Sequence, residues 1–139
     1  MASALKDLVR KTWLVLDSEV ATFRARIIEV DNKEWGIVDV LWKKPLEPVT
    51  LREYVEFVAK MVVSFVLPYA KRLIISSRAP IWFFVPLCHS VGHEFNVVAT
   101  FDPKVQGAVI CISHEYGYDV GNIVKLPPEI IAEITQVKV

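Results

Sequence analysis

Arg78, His89, His93, Asp102, Lys104, Ser113 and His114 are the residues whose types and spacing can do chemistry in this sequence. An aspartate such as Asp102 can hold a divalent metal or orient a nucleophile, and Arg78 and Lys104 can neutralise an anion such as phosphate. The imidazoles of His93 and His114 can hold a ligand or transfer protons. No common catalytic frame encloses them. There is no G-x-G-x-x-G, no Walker loop and no G-x-S-x-G, which removes the commonest dinucleotide, nucleoside-triphosphatase and hydrolase readings. His89 and His93 have i, i+4 spacing, but Gly92 weakens a helix there and the HExxH pattern is missing, so a zinc site is not expected. Plainer roles stand beside these. Asp102-Pro103 is an ordinary turn opener, His89 on an apolar helix reads as a structural group, and Trp82, Phe83 and Phe84 are core before they are a base-stacking platform.

The elements that must position these residues follow from hydrophobic periodicity. Ser3 caps a first helix carrying Leu5, Leu8, Val9, Trp13 and Leu16, although Trp13 to Leu16 equally suits a strand. Phe23 to Val30 and Trp35 to Trp42 are rich in β formers on either side of Asp31-Asn32-Lys33, which predicts a hairpin. Thr50-Leu51-Arg52-Glu53 is a capping-box pattern, and the following apolar stripe through Val55, Val58, Val62 and Val66 predicts a helix. Arg72 to Ser77 is of strand length. A helix from about Pro80 to Val91, apolar on most faces, should be buried, kinked at Pro86 and closed near Gly92. Asn96 to Phe101 is the next strand, Ala108 to Ile112 should run back antiparallel to it, and Ile123-Val124 and Ile130 to Val139 are candidate edge strands.

A strand, helix and strand of this length form a right-handed crossover with the strands parallel. The fold class is therefore α/β: one domain, with a mixed sheet, that crossover and flanking helices, Rossmann-like in outline. Arg78, Asp102 and Lys104 then fall at the carboxyl ends of parallel strands, where such sheets bind ligands, together with the amide-rich start of the Pro80 helix. His93 and His114 fall at the opposite end, roughly 16 to 20 Å away at about 3.3 Å per strand residue. Asp102 and His114 cannot touch one substrate atom within a subunit, so a site using both must form between subunits stacked end to end.

Composition bounds the rest. The chain has 139 residues, 53% hydrophobic, with a mean hydropathy of +0.38, and can bury roughly 70% of its unfolded surface as one domain. Its 16 Lys+Arg balance 16 Asp+Glu, which argues against binding duplex DNA but allows a pocket for a few phosphates. No apolar run reaches the roughly 18 to 20 residues that span a bilayer, and charges interrupt the start where a signal peptide needs an apolar stretch. A cytoplasmic protein without a membrane partner is expected. Cys88 and Cys111, in apolar surroundings, read as buried thiols of a reducing compartment. High apolar content favours a homo-oligomer, or a subunit docking on a larger complex.

From Ile74 to Val124 the sequence resembles the CRISPR-associated Csx-three family. The resemblance rests on Ile74-Ile75-Ser76-Ser77-Arg78-Ala79-Pro80-Ile81-Trp82, then His89 and His93, Phe101-Asp102-Pro103-Lys104, Gly107-Ala108-Val109, Ser113-His114 and Val120-Gly121-Asn122-Ile123-Val124. The hairpin and Lys44-Pro45-Leu46-Glu47-Pro48 also fit that family's start, leaving residues 1–20 as an N-terminal addition. The resemblance implies a ring nuclease: a manganese-dependent phosphodiesterase that hydrolyses cyclic tetra-adenylate, the second messenger of type III CRISPR antiviral defence. It implies tetramers that stack around the ligand. Carried over, Asp102 is the motif aspartate and metal contact, with Lys104 and His93 the other catalytic candidates, and Arg78, His89, Ser113 and His114 binding ligand. Lys104 stands where the family has arginine, Phe101 replaces tyrosine, Ala79 glycine and Asn122 aspartate. Lysine lacks arginine's bidentate fork, which makes a non-catalytic sensor or sequestering protein the rival expectation.

Overall fold

The computed structural model describes residues 2–134, whose strands join into one seven-stranded sheet. Helix α1 (Ala2–Lys11) ends before β1 (Leu14–Asp17), so the ambiguous Trp13 to Leu16 segment resolves as strand, and Ser3 lies inside the helix instead of capping it. The expected hairpin is β2 (Ala21–Val30) and β3 (Lys33–Trp42). Asp31 and Asn32 join them at φ of 52° and 64°. Two successive left-handed residues make a turn whose twist matches that of the strands, and Asp and Asn tolerate this conformation better than most side chains.

A 3-10 turn at Pro48–Thr50 leads into α2 (Leu51–Phe65), which buries Val55, Val58 and Val62. The capping box does not form. The Thr50 hydroxyl instead donates back to the Glu47 carbonyl at 3.1 Å, closing the turn before the helix. Strand β4 (Arg72–Ser77), helix α3 (Ile81–Val91), strands β5 (Val97–Asp102), β6 (Gly107–Ser113) and β7 (Ile123–Lys125), and helix α4 (Pro128–Glu133) complete the order. Residues 130–134, expected as strand, are helix and its C-cap: Pro128 occupies the first turn, and Ile130 and Ile134 are buried one turn apart. The rest of that expected strand lies outside the described residues.

Neighbours in the sheet are neighbours in the chain, from β1 to β7. β3, β4 and β5 are parallel, linked by α2 and α3, and antiparallel pairs flank them on both sides. Both crossovers step the same way, so α2 and α3 cover one face and pack on each other. That face buries Phe83, Leu87 and Val91 with Val38, Val40, Leu73, Ile75 and Val98. The opposite face buries Trp35, Ile37, Ile74, Ala99, Phe101 and Ile110 with Ile130 and Ile134 from α4 and its cap. Helix α3 departs from expectation. Its inner side is buried, but Ile81 is 80% and Val85 64% exposed, because no element covers its outer side among the described residues. Where α2 ends, a Cβ on Gly36 would lie 2.0 Å from Val66 Cγ1, so glycine lets the chain cross the sheet closely there.

Among the described residues one charged side chain lies fully inside. Asp39, at 0% exposure on β3, accepts from Arg24 Nη2 at 2.6 Å and Ser76 Oγ at 2.9 Å. Arg24 and Ser76 are its register partners on β2 and β4, so the three form a row across strands. Arg24 also donates to the Glu133 carbonyl of α4 and lies over the Trp13 ring at 4.6 Å. Removing one partner of such a pair leaves a buried charge uncompensated. Asp39→Ala is therefore expected to destabilise the fold by about 3 to 5 kcal/mol, and Ser76→Ala by only about 1 kcal/mol, as read from denaturant midpoints. Equal midpoints for Asp39→Ala and the native chain would contradict this.

Candidate functional site

The apolar stripe of α3 and the end of the sheet beneath it enclose a cleft of about 780 Å³. Ile81, Phe84, Val85 and Cys88 recur at i, i+3, i+4 and i+7, so a single line of side chains roofs it, with His89 beside them. The floor is made by strand alternation. Phe101 is buried on the α4 face, which turns Thr100 and Asp102 toward α3, and Ser77 joins them from the end of β4. The Ser77 hydroxyl donates to the Val40 carbonyl at 3.0 Å and accepts from Trp42 Nε1 at 2.8 Å.

Asp102 sits half-buried at the mouth of this cleft. Its Oδ1 accepts the Lys104 backbone N–H at 2.9 Å, the turn-opening bond expected of Asp before Pro. Oδ2 has no protein partner among the described residues, so it remains available to a ligand. Arg78 and Lys104 are exposed at the same end of the sheet. Helix α3 also begins there, with no acidic residue in its first turn and no side chain bonded to its cap. Cation charge, open amides and one carboxylate therefore share the end at which Arg78, Asp102 and Lys104 were expected. No three His, Cys, Asp or Glu gather to hold a metal among the described residues. Among the described residues Asp102 is the one carboxylate lining the cleft, too few hard donors for a resident divalent metal.

His93, Ser113 and His114 lie at the other end. The ladder pairs Asp102 with Gly107 and Val97 with Ser113, so β5 and β6 separate Asp102 from His114 by their length, roughly 16 Å. The His114 backbone N–H bonds the Asn96 carbonyl at 2.7 Å, and its Nε2 lies 3.2 Å from the Gly92 carbonyl. The His93 ring meets the His89 ring edge-on at 6.1 Å. The Ser113 hydroxyl is engaged in its own loop, donating to the Tyr118 carbonyl and accepting from Glu115 N–H. The exception to the two-ended arrangement is His89. Read from the sequence as a structural group on an apolar helix and, through the resemblance, as a ligand contact, it is exposed and lines the cleft with Asp102.

The cysteines also depart from the buried pair expected. Between Val98 and Ala99 the ladder steps from Ile112 to Ile110, so Cys111 is the extra residue of a β-bulge. Cys111 is exposed, Cys88 of α3 is half-buried, and both line the cleft. The neighbouring Cys111 sulfur, with burial, holds Cys88 protonated and raises it well above the ordinary thiol range. Cys88 in turn lowers Cys111 to about 7. Spacing in the sequence does not reveal this pair; the bulge that creates it depends on strand register.

Comparisons with known proteins complete the description. Residues 45–125 match the family model described as CRISPR-associated protein (Cas_csx3). A protein of Aquifex aeolicus (strain VF5), described only as uncharacterized, is 36% identical over 53 residues, covering 38% of this chain and 47% of that protein. No solved structure matches the chain.

Thiolate reactivity tests the cleft geometry directly. Below its midpoint Cys111 is protonated and unreactive, and above it the thiolate forms, so alkylation by iodoacetamide should rise with a midpoint of about 7. Cys88→Ala removes the neighbouring thiol and should move that midpoint up toward the ordinary value, against Asp102 and His89 as the other titratable groups lining the cleft. An unchanged midpoint would place the two thiols apart.

Proposed function

The chain belongs to the Csx-three family of CRISPR-associated proteins, and on that premise we propose that it binds cyclic tetra-adenylate and hydrolyses its phosphodiester in antiviral defence. The observation that carries this reading is the placement of Asp102. Asp102 lines a cleft at the sheet end that also holds Arg78, Lys104 and the start of α3, and its Oδ2 has no protein partner among the described residues. Phosphate charge is offset there by two cations and by amide dipoles, and the carboxylate can orient the attacking oxygen and take its proton.

The imidazoles enter from another copy. With His93 and His114 a strand length from Asp102, one protomer cannot bring both to one phosphodiester, so the ligand sits between stacked homo-oligomers, tetramers in this reading. The His-bearing end of one assembly grips the ring while the Asp102 end of the next cuts it. Proton transfer to the leaving oxygen then falls to His93 or His114 across that junction. Manganese, which the family resemblance implies, would meet a single carboxylate per protomer, so every step here runs through the chain's own side chains.

Lys104 favours a second reading, in which the protein sequesters the messenger without cutting it, because lysine meets a phosphate as a point charge without arginine's paired donors. Labelled cyclic tetra-adenylate with manganese separates the two. Asp102→Ala should cut at least about 100-fold more slowly than the native chain with binding retained, His114→Ala should weaken binding, and Lys104→Arg should speed cleavage. Cleavage untouched by Asp102→Ala would remove its role; tight binding with no cleavage by the native chain would establish sequestration.

A further inference from the structure

Two thiols from elements distant in sequence meet in the cleft, and nothing in phosphodiester chemistry uses them. Cys111 is the unpaired residue of the β6 bulge, a device that re-aims a side chain, and it stands exposed with its Sγ 3.5 Å from the Val98 carbonyl. Cys88 faces it from α3. The helix is pressed close to β6 just beyond this point: a Cβ on Gly92 would lie 2.8 Å from Ile112 Cδ1 and 2.6 Å from the Cys88 carbonyl. Both sulfurs line the same cleft and each is the main influence on the other's proton, which puts them within reach of one another for a disulfide.

We propose that Cys111 and Cys88 form a thiol modification site for peroxides, in which Cys111 is the attacking sulfur, Cys88 the resolving one, and the product a disulfide tying α3 to β6. In the first step the Cys111 thiolate attacks a peroxide oxygen. The S–O bond forms, the O–O bond breaks, and the hydroxide that leaves takes a proton to become water. In the second step Cys88 gives up its proton, its sulfur attacks the Cys111 sulfenic acid, the S–S bond forms and a second water departs. The two sulfurs lose two electrons and the peroxide gains them. The division of labour follows from the pair. Cys111 holds the thiolate because Cys88 keeps its proton, and once Cys111 is oxidised Cys88 no longer faces an anion.

The test needs no nucleotide. The full chain, fully reduced, is treated with hydrogen peroxide near neutral pH and followed by intact mass and thiol labelling. Both thiols should disappear together with loss of two hydrogens, within one chain, and dithiothreitol should restore them. Cys88→Ser should stop at sulfenic acid or higher oxides on Cys111. Cys111→Ser, at an exposed position that the fold tolerates, should leave Cys88 at least about tenfold slower to oxidise. Two thiols that stay free, a bond formed only between chains, or a Cys88 that reacts as fast without Cys111 would each overturn the assignment.

Discussion

The Asp39 carboxylate, enclosed between Arg24 and Ser76, is the constraint on which the sheet's arrangement depends. β3 is the strand at which the sheet changes from antiparallel to parallel, and a slip of one residue there would turn every side chain to the wrong face. A buried anion that takes a guanidinium from β2 and a hydroxyl from β4 loses both if either strand slips, which ties the hairpin to the first crossover. Ser76 and Ser77 point to opposite faces. The register that seats Ser76 on Asp39 therefore also carries Ser77 into the cleft and sets where the chain leaves β4 for Arg78.

Much of this was legible in the residues. Alternating β formers around Asp31-Asn32 announced the hairpin, and the apolar stripe of Leu51 to Val66 announced α2, because both patterns arise from local geometry. The parallel run of Arg72 to Ser77 and Asn96 to Phe101 followed from the length of what joins them, and with it the opposite placement of Asp102 and His114. What escaped depended on which of several competing partners each residue takes. Thr50 bonding backward to Glu47 competes with a capping box that looks complete on paper. Pro128 and the burial of Ile130 beneath the sheet made helix where β propensity alone suggested strand. The bulge at Cys111 is a property of two strands together, and no spacing within one of them announces it.

The cleft shows how one helix serves unlike purposes. Phe83, Leu87 and Val91 hold α3 to the sheet, and the next stripe around the cylinder roofs a mostly apolar space into which one carboxylate and two thiols are set. Helix α3 also spans the protein from the Asp102 end, where it starts, to the histidine end, where Gly92 receives His114. His89 is one turn before His93 and belongs to both regions, meeting the cleft on one side and the His93 ring on the other.

The order of strands in the sheet bears on how the chain reaches this state. Because each strand pairs with those next to it in sequence, no segment has to wait for a remote one to arrive before it can dock. The turn at Asp31 and Asn32 and the short connection from Asp102 to Gly107 close small loops, the quickest events available to a polypeptide. The two parallel pairings of β4 each span a helix, so they close longer loops than these turns do.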